Sequence, residues 1–441
     1  MTISCRILVP LAVLLATATA PAQTPTDSDQ AEVVKALLTR IDKLEGGVAE
    51  LEASKNTGSK PQPQVQPKAQ SQDTPQQEAQ TPSADVAQQS LPAQTHEHDE
   101  HPQNGAVAER RFPSMQLRGF ADVDFSATDE HGSHSGFNLG QFVLHVASPL
   151  SNKVAYFGEL SCTAQPTAYS VDLERSIIRY DYNDYFKLSF GRYHTPINYW
   201  NTAFHHGLWL QTTVNRPEMI RFGGRFQPVH FLGLLAEGNI PSGRLGLNYE
   251  VGLGNGRAGI ISRAGDTGDV NNNRAWVARV SARPAGLTGF QFGGAVYRDE
   301  ITPSPALSGN PTFGEWISSA HVVWTRETPE ILSEFANVHH RNNLTGTVYN
   351  SQAYYVQLAY RLPWQQKKWK PYYRFEYTHI PPTEPLFSSP DFSVPDLVGS
   401  TAGVRYDISD FAAFKWEYRH TKRGPTDPTV NGVFAQTSFT F

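Results

Sequence analysis

The chain of 441 residues is 39% apolar and 18% charged, and its formal net charge at pH 7 is −5. Its mean hydropathy is −0.43, and beyond the N-terminal segment it has no run of about 18 apolar residues, which excludes a helical membrane protein. The small net charge gives no support for nucleic-acid binding. Few charges together with 34 Gly, 24 Phe and 18 Tyr are typical of alternating strands that face lipid on one side.

Residues 1–22 have the pattern of a secretory signal peptide. Arg6 supplies the positive charge, and a short apolar run follows it. We expect cleavage after Ala22 or after Ala20, where small residues precede the break. Cys162 is then the single cysteine of the mature chain, so no intrachain disulfide is expected. The protein is predicted to leave the cytoplasm.

Residues 31–54 carry a heptad pattern. β-Branched residues recur every seven positions, and leucines fill the positions between them: Val34, Ile41 and Val48, with Leu37, Leu44 and Leu51. This spacing favours a self-associating coiled coil. A single amphipathic helix lying on another surface is the alternative. β-Branched residues at a with Leu at d favour two strands in isolated coiled coils, so a trimer would need its number set by the rest of the chain.

Residues 55–112 are rich in Pro, Gln, Ser, Thr and Ala and predict a disordered linker. The linker contains His96-Glu97-His98-Asp99-Glu100-His101, whose side chains could hold Zn²⁺ or Cu²⁺ loosely. Because so short a tract has no supporting groups to fix its ligands, we favour a solvated, charged linker. His205-His206 is a second pair, but neighbours on a strand point apart. No metal and no cofactor are predicted.

Residues 113–441 predict an all-β domain, because polarity alternates along about ten residues at a time between turns. Trp316, Val322 and Trp324 share one face of such a segment and oppose Glu315 and His321. The aromatic face suits a lipid-facing girdle, and the face that carries both signs of charge suits a lumen. We predict a transmembrane up-and-down antiparallel β-barrel of about 16 strands, between about 14 and 18.

The stretch from Gly432 to Phe441 predicts the last strand. Val433, Ala435, Thr437, Phe439 and Phe441 alternate with a mostly polar row. A strand that closes on Phe441 is similar to the C-terminal signal of outer-membrane barrels, and an edge strand of a soluble sandwich is the alternative. Short and long connections also alternate, as expected of short periplasmic turns and long outer loops. Residues Ile220 to Ile240 could form one strand or two.

The order of signal peptide, coiled coil, linker and barrel resembles the phosphate-selective porin family of the O and P type. Leu188 to Ile197, which reads LSFGRYHTPI, resembles the family's strand that ends in Gly-Arg/Lys, an aromatic residue and a Thr/Ser-Pro step. The resemblance implies a trimer of sixteen-stranded barrels, each with one loop folded into its pore. Thr195 to Glu218 is then the constriction loop, with Tyr199, Trp200, His205, His206 and Trp209. A loop of this length is usually either functional or disordered, and its aromatic content argues against disorder.

Charged residues on the predicted inner face are candidates for the pore lining. The positive set is Arg118, Arg179, Arg298, Arg374, Arg405, Lys415 and Arg419, and the negative set is Asp122, Glu159, Glu376, Asp407 and Glu417. Each of them could instead be a salt-bridged wall residue that contacts no solute.

No catalytic residue is predicted, because no Gly-x-Ser-x-Gly, His-Glu-x-x-His or P-loop motif occurs. We therefore expect a passive porin for small hydrophilic solutes or ions, in which phosphate-like anions follow from the resemblance. The expected partners are outer-membrane lipid, two further copies in a homotrimer and the solutes, with the coiled coil in the periplasm. The alternative is a barrel that only anchors the coiled coil and linker, which would bind periplasmic components.

Overall fold

The computed structural model describes residues 112–204, 207–221, 225–304, 306–388 and 394–441. The predicted signal peptide, coiled coil and His-rich tract lie outside the described residues, as do His205 and His206. None of the helices in the described ranges is long and apolar enough to cross a membrane.

Sixteen antiparallel strands form a closed barrel in which each strand pairs with its neighbours in sequence and β1 pairs with β16. The strands are β1 Gln116–Thr128, β2 Gly136–Pro149, β3 Val154–Ala164, β4 Tyr169–Asn183, β5 Phe186–His194, β6 His230–Ile240, β7 Leu247–Asn255, β8 Ala275–Ala282, β9 Phe290–Ile301, β10 Phe313–Trp324, β11 Glu330–Asn342, β12 Val348–Ala359, β13 Trp369–His379, β14 Leu397–Ser409, β15 Ala412–Arg423 and β16 Thr429–Thr440. The predicted fold and the strand number of sixteen are confirmed. Residues 220–240 contribute one strand, β6.

Alternating polarity decides which side chains face outward. On β10, Trp316 and Val322 are exposed on the outer face, whereas Glu315 and His321 are buried on the inner face. Successive side chains of a strand point to opposite faces, so one pattern positions both rows. Closure satisfies every strand edge, which a sheet in a lipid environment needs because lipid offers no hydrogen-bond partners.

The connections differ in length at the two ends of the barrel. Four long connections at one end, the long-loop end, are residues 195–229, 256–274, 302–312 and 380–396. The opposite, short-turn end has tight links such as residues 184–185 and 410–411. The longest connection, 195–229, contains the helix α1, Trp200–Ala203, and two 3₁₀ turns, Leu208–Leu210 and Glu218–Ile220. We call it the inserted connection, because its described residues pack against the inner face of the barrel wall.

The pairing of β1 with β16, which closes the barrel, is extended at one end by a contact between Gly119 and Phe441. The Gly119 amide donates to the Phe441 carbonyl at 2.8 Å, and the Phe441 amide donates to the Gly119 carbonyl at 3.0 Å. The Phe441 ring lies against Phe142, with centroids 5.8 Å apart. A Cβ on Gly119 would meet the same ring at 2.2 Å, so the ring needs a glycine beneath it.

Deletion of Phe441 is expected to lower the yield of folded barrel, because both hydrogen bonds to Gly119 and the ring packing are lost. The measurement is the fraction of heat-modifiable, folded protein after refolding into lipid vesicles. Deletion of the linker segment 60–90 serves as the control and should leave that fraction unchanged. A normal yield of folded barrel without Phe441 would contradict this account of closure.

An ion cluster fastens the β10–β11 turn, residues 325–329, to its neighbours at the short-turn end. Glu327 accepts from Arg361 Nη2 and from Lys370 Nζ, each at 2.9 Å. Lys370 also pairs with Glu330 at 2.7 Å. Burial acts to raise the pKa of Glu327, but the charges of Lys370 and Arg361 and their hydrogen bonds outweigh burial and lower this pKa from 4.5 to about 2.

Because the pKa of Glu327 is lowered in the folded barrel, the free energy of unfolding falls as the solution becomes acidic. The contribution of Glu327 is fully present above its unfolded pKa near 4.5, and it is lost as the pH falls through about 2. We expect Glu327→Gln to lower the thermal midpoint at neutral pH and to flatten its decline between those two pH values. The check is thermal unfolding against pH, with Glu130→Gln in the exposed β1–β2 connection as the matched control. Identical acid profiles for wild type and Glu327→Gln would refute the role of the cluster.

Candidate functional site: the inserted connection and the barrel interior

The inserted connection begins after His194, the last residue of β5. Gly191 has a φ of +141°, and a Cβ there would meet the Ser176 carbonyl oxygen at 1.9 Å, so only glycine fits. The Thr195 amide then donates to the Val229 carbonyl at 2.9 Å, which joins the two ends of the connection. The buried Asn201 side chain donates to both the Thr195 and the Val229 carbonyls. The resemblance motif thus marks the point of entry into the lumen.

Aromatic side chains pack the connection against an apolar part of the inner wall. Trp200 is 0% exposed, and its ring meets Tyr355 of β12 edge-on with centroids 6.0 Å apart. Tyr199 is 2% exposed and lies 6.2 Å from the His321 ring. Burial of a large aromatic side chain removes about 150–250 Å² from water. The same cluster includes Ile197, Phe204, Met219, Ile220 and Phe226 of the connection, with Val277, Tyr297, Ile317, Leu332 and Val338 of the wall.

Cationic side chains of the wall donate to carbonyl oxygens of the connection. Lys415 Nζ donates to the carbonyls of Leu208 and Thr213, and to Gln436 Oε1 at 3.0 Å. These three acceptors satisfy all three N–H donors of the ammonium group. The other donors are Arg405 Nη1, at 2.7 Å from the Trp209 and 2.9 Å from the Gln211 carbonyl, and Arg374, at 2.8 Å from the Asn215 and 3.3 Å from the Arg216 carbonyl. Arg279 donates to the Asn198 carbonyl at 2.9 Å.

Anionic side chains of the wall accept from the amides of the same connection. Glu334 accepts from the amides of Tyr199 at 3.2 Å and Trp200 at 2.6 Å. Glu417 accepts from the Val214 amide at 3.0 Å, and Glu376 accepts from the Glu218 amide at 2.6 Å. Both signs of charge are therefore needed, because a backbone presents donors and acceptors alike. We call these cations and anions together the wall ladder.

The residues that sequence analysis assigned to the inner face fall into two groups. Arg374, Arg405, Lys415, Glu376 and Glu417 belong to the wall ladder. Residues of the second group pair with other side chains of the wall or are exposed to solvent near one end of the barrel. They are Arg179 with Asp181, Arg419 with Glu417, Asp407 with Arg405, Glu159 with Arg175 and His145, the buried Asp122, and the exposed Arg118 opposite His145.

The assignment of Arg298 to the interior was wrong. Arg298 lies opposite Trp276 and Trp316 in the cross-strand register, which is the outer row of the barrel. Its neighbours Tyr297 and Asp299 take the inner row and are 0% and 2% exposed. Near the long-loop end the guanidinium reaches the Asn273 side-chain oxygen at 2.9 Å, so its charge is satisfied outside the lumen.

Three predicted loop residues lie in the described part of the connection: Tyr199 and Trp200 in the apolar cluster, and Trp209, whose ring lies 5.8 Å from the Arg405 guanidinium. The connection is longer than predicted, because a returning leg, described at residues 219–221 and 225–229, precedes β6. Sequence analysis also missed Glu334, Glu330, Arg279 and Arg257 as contacts of the connection. A charged residue in an otherwise apolar inner row is a sequence signal for such a contact. Glu334, between Leu332 and Ala336, is an example.

The connection divides the interior into a packed side and a solvated side. Under the connection, the side chains of Arg374 and Glu417 are 2% and 0% exposed. On β4, β6 and β7 the inner-face side chains of Asp181, Glu237 and Glu250 are 24%, 28% and 19% exposed. Water therefore reaches these inner-face side chains of β4, β6 and β7, and the solvated side meets the wall ladder where Glu250 pairs with Arg279.

This architecture is the porin fold. An anion-selective porin from Comamonas acidovorans is similar to 75% of this chain over 100% of its own length, with 9% identity and a TM-score of 0.56. The trimer form of OmpT from Vibrio cholerae matches 75% of this chain over 99% of its own, with 11% identity and a TM-score of 0.50. OmpF from Salmonella typhi matches 74% of this chain over 97% of its own length, with 13% identity and a TM-score of 0.50. No family model and no curated protein matches the sequence.

Replacement of Lys415 by Met is expected to destabilise the docked connection, since the Leu208 and Thr213 carbonyls lose their donor inside the barrel. The cost should be about 1–3 kcal/mol of unfolding free energy. Denaturant unfolding in lipid vesicles measures it, with Lys422→Met, at an exposed lysine of the same strand, as the matched control. Equal midpoints for the two variants would show that Lys415 does not hold the connection.

Proposed function

We propose that the protein is an outer-membrane porin, a passive diffusion channel for small hydrophilic solutes or ions. The observation that carries the proposal is the divided interior, in which a packed connection narrows a closed barrel and solvated charged side chains remain on the opposite wall. A lumen meant only to stiffen a membrane anchor would not need a solvated side. The porin fold supports the same function and an outer-membrane location.

The solutes that we propose include anions, phosphate among them. Arg175, Arg179 and Lys187 on β4 and β5 would supply positive charge on the solvated side, where the inner-face carboxylates of Asp181, Glu237 and Glu250 also lie. Arg118, exposed near the start of β1, would add positive charge at the short-turn end. Arg374, Arg405 and Lys415 are occupied by carbonyls of the connection, so they would hold the constriction rather than meet solute. Because the exposed charges are mixed and partly paired, we expect a moderate anion preference.

The proposed assembly is a homotrimer in outer-membrane lipid. Its signal peptide, residues 1–22, would be removed, and the coiled coil of residues 31–54 would extend into the periplasm through the linker of residues 55–112. The mass of the detergent-extracted assembly tests the trimer. If the number of copies calculated from that mass is unchanged after removal of the coiled coil, the barrel alone sets it.

The decisive experiment is recording from the protein in a planar bilayer. A porin gives stepwise current, and the reversal potential in a salt gradient gives the ion preference. A plugged barrel that only anchors periplasmic components gives no current. Complete absence of steps from folded protein would overturn the proposed function.

A shortened connection is expected to raise single-channel conductance. Since Thr195 and Val229 are joined by a backbone hydrogen bond, residues 197–227 can be replaced by a Gly/Ser turn of about four residues. Removal of the packed side should widen the lumen and raise the current above that of wild type. Shortening of the 302–312 connection at the same end is the control and should leave conductance unchanged. If the two variants conduct alike, the constriction lies elsewhere.

A further inference from the structure

A histidine inside the barrel lies between two carboxylates. His340 Nε2 is 2.9 Å from Glu315 Oε1, and His340 Nδ1 is 2.9 Å from Glu384 Oε1. The side chains of all three residues are at most 1% exposed. None of these residues belongs to the wall ladder, and the diffusion of solutes does not call for them.

The two contacts restrict the protonation states that this group can adopt. A neutral imidazole carries one N–H, so it can donate to one carboxylate and must turn a lone pair toward the other. Only an imidazolium donates from both nitrogens to two ionised carboxylates. The alternative is a proton on one of the carboxyl groups, and Arg257 Nε, 3.1 Å from Glu315 Oε2, favours the ionised form of Glu315.

The His340 cluster joins three segments that are far apart in sequence. Glu384 belongs to the 380–396 connection, and the Phe387 ring of that connection stacks on Phe226 with centroids 5.6 Å apart. On the other side, Arg257 of the 256–274 connection donates to the carbonyls of Arg225 and Phe226. Both paths from His340 therefore end on the returning leg of the inserted connection.

We propose that His340 is a positioning residue whose imidazolium fastens the 380–388 segment to β10 and β11 of the wall, keeps Phe387 stacked on Phe226 of the inserted connection and so steadies the conducting channel. This inference rests on the proposed porin function. Glu384 has His340 as its cationic partner among the described residues, whereas Glu315 has Arg257 as well. Loss of the imidazolium charge therefore releases Glu384 first.

This arrangement makes the open channel less steady at alkaline pH. Glu315, Glu384 and the Phe387 ring face His340. Tyr349 is the cross-strand partner of His340 on β12. Behind Glu315 lie Arg257 and Asp299, which accepts from the Arg257 amide and the Tyr297 hydroxyl at 2.8 Å each. The imidazolium is the charge that both carboxylates share, so its deprotonation leaves buried anions facing a neutral ring.

The test is open-channel current noise of the full-length protein, recorded in planar bilayers from about pH 5 to about pH 10, a range that spans histidine titration. Wild type should be quiet in acid and become noisier as the pH rises. His340→Gln and Glu384→Ala should be noisy throughout, and the double variant should match either single variant. His339→Gln is the matched control, because His339 lies in the outer row, where it contacts Asn350 at 2.9 Å.

Each outcome bears on a separate claim. Wild-type protein that forms no channel refutes the porin function itself. Wild-type channels whose noise does not change with pH, or a His340→Gln channel that keeps the alkaline rise, overturn the role of His340 while the porin function stands. If His340→Gln yields no folded barrel by heat-modifiable migration, Glu384→Ala and the wild-type pH profile decide the question.

Discussion

A polypeptide segment that runs through the inside of a barrel brings its own amides and carbonyls away from water, and each of them needs a partner. In this protein the partners are charged side chains of the wall, with cations on carbonyls and anions on amides. Hydrogen bonds to charged groups contribute about 1.5–3 kcal/mol each, more than neutral ones. The mixed charge of the inner face follows from this requirement, since neither sign alone could satisfy a backbone.

The apolar cluster and the wall ladder divide the work of holding the connection. The ladder orients the segment along β8, β11 and β13–β15, while Trp200 and Tyr199 remove apolar area from water against β10–β12. Charged residues of the inner wall therefore differ in role. Lys415 binds the connection, Glu237 faces the solvated side, and the buried Glu159 pairs with Arg175 within the wall.

Alternation along each strand is a local property, so the sequence alone was enough to predict the barrel, its sixteen strands and most inner rows. Arg298 was misplaced because its charge was given more weight than its position in the row of Val296, and near the long-loop end an outer arginine finds polar partners. The contacts of the connection could not be predicted, because Val214 and Glu417 are 203 positions apart and no local pattern relates them. The apolar inner row of Ile317 and Val338 was missed for the same reason, since its partners come from the connection.

The inserted connection also implies an order of events during folding. Its partners lie on β8, β11 and β13–β15, so the surface that receives it exists only after those strands have paired. Loop closure over more than 200 residues precedes any gain from these contacts, and such non-local contacts form slowly. Docking of the connection thus requires strands that follow it in the chain, and its backbone narrows the lumen only once β8, β11 and β13–β15 are in place.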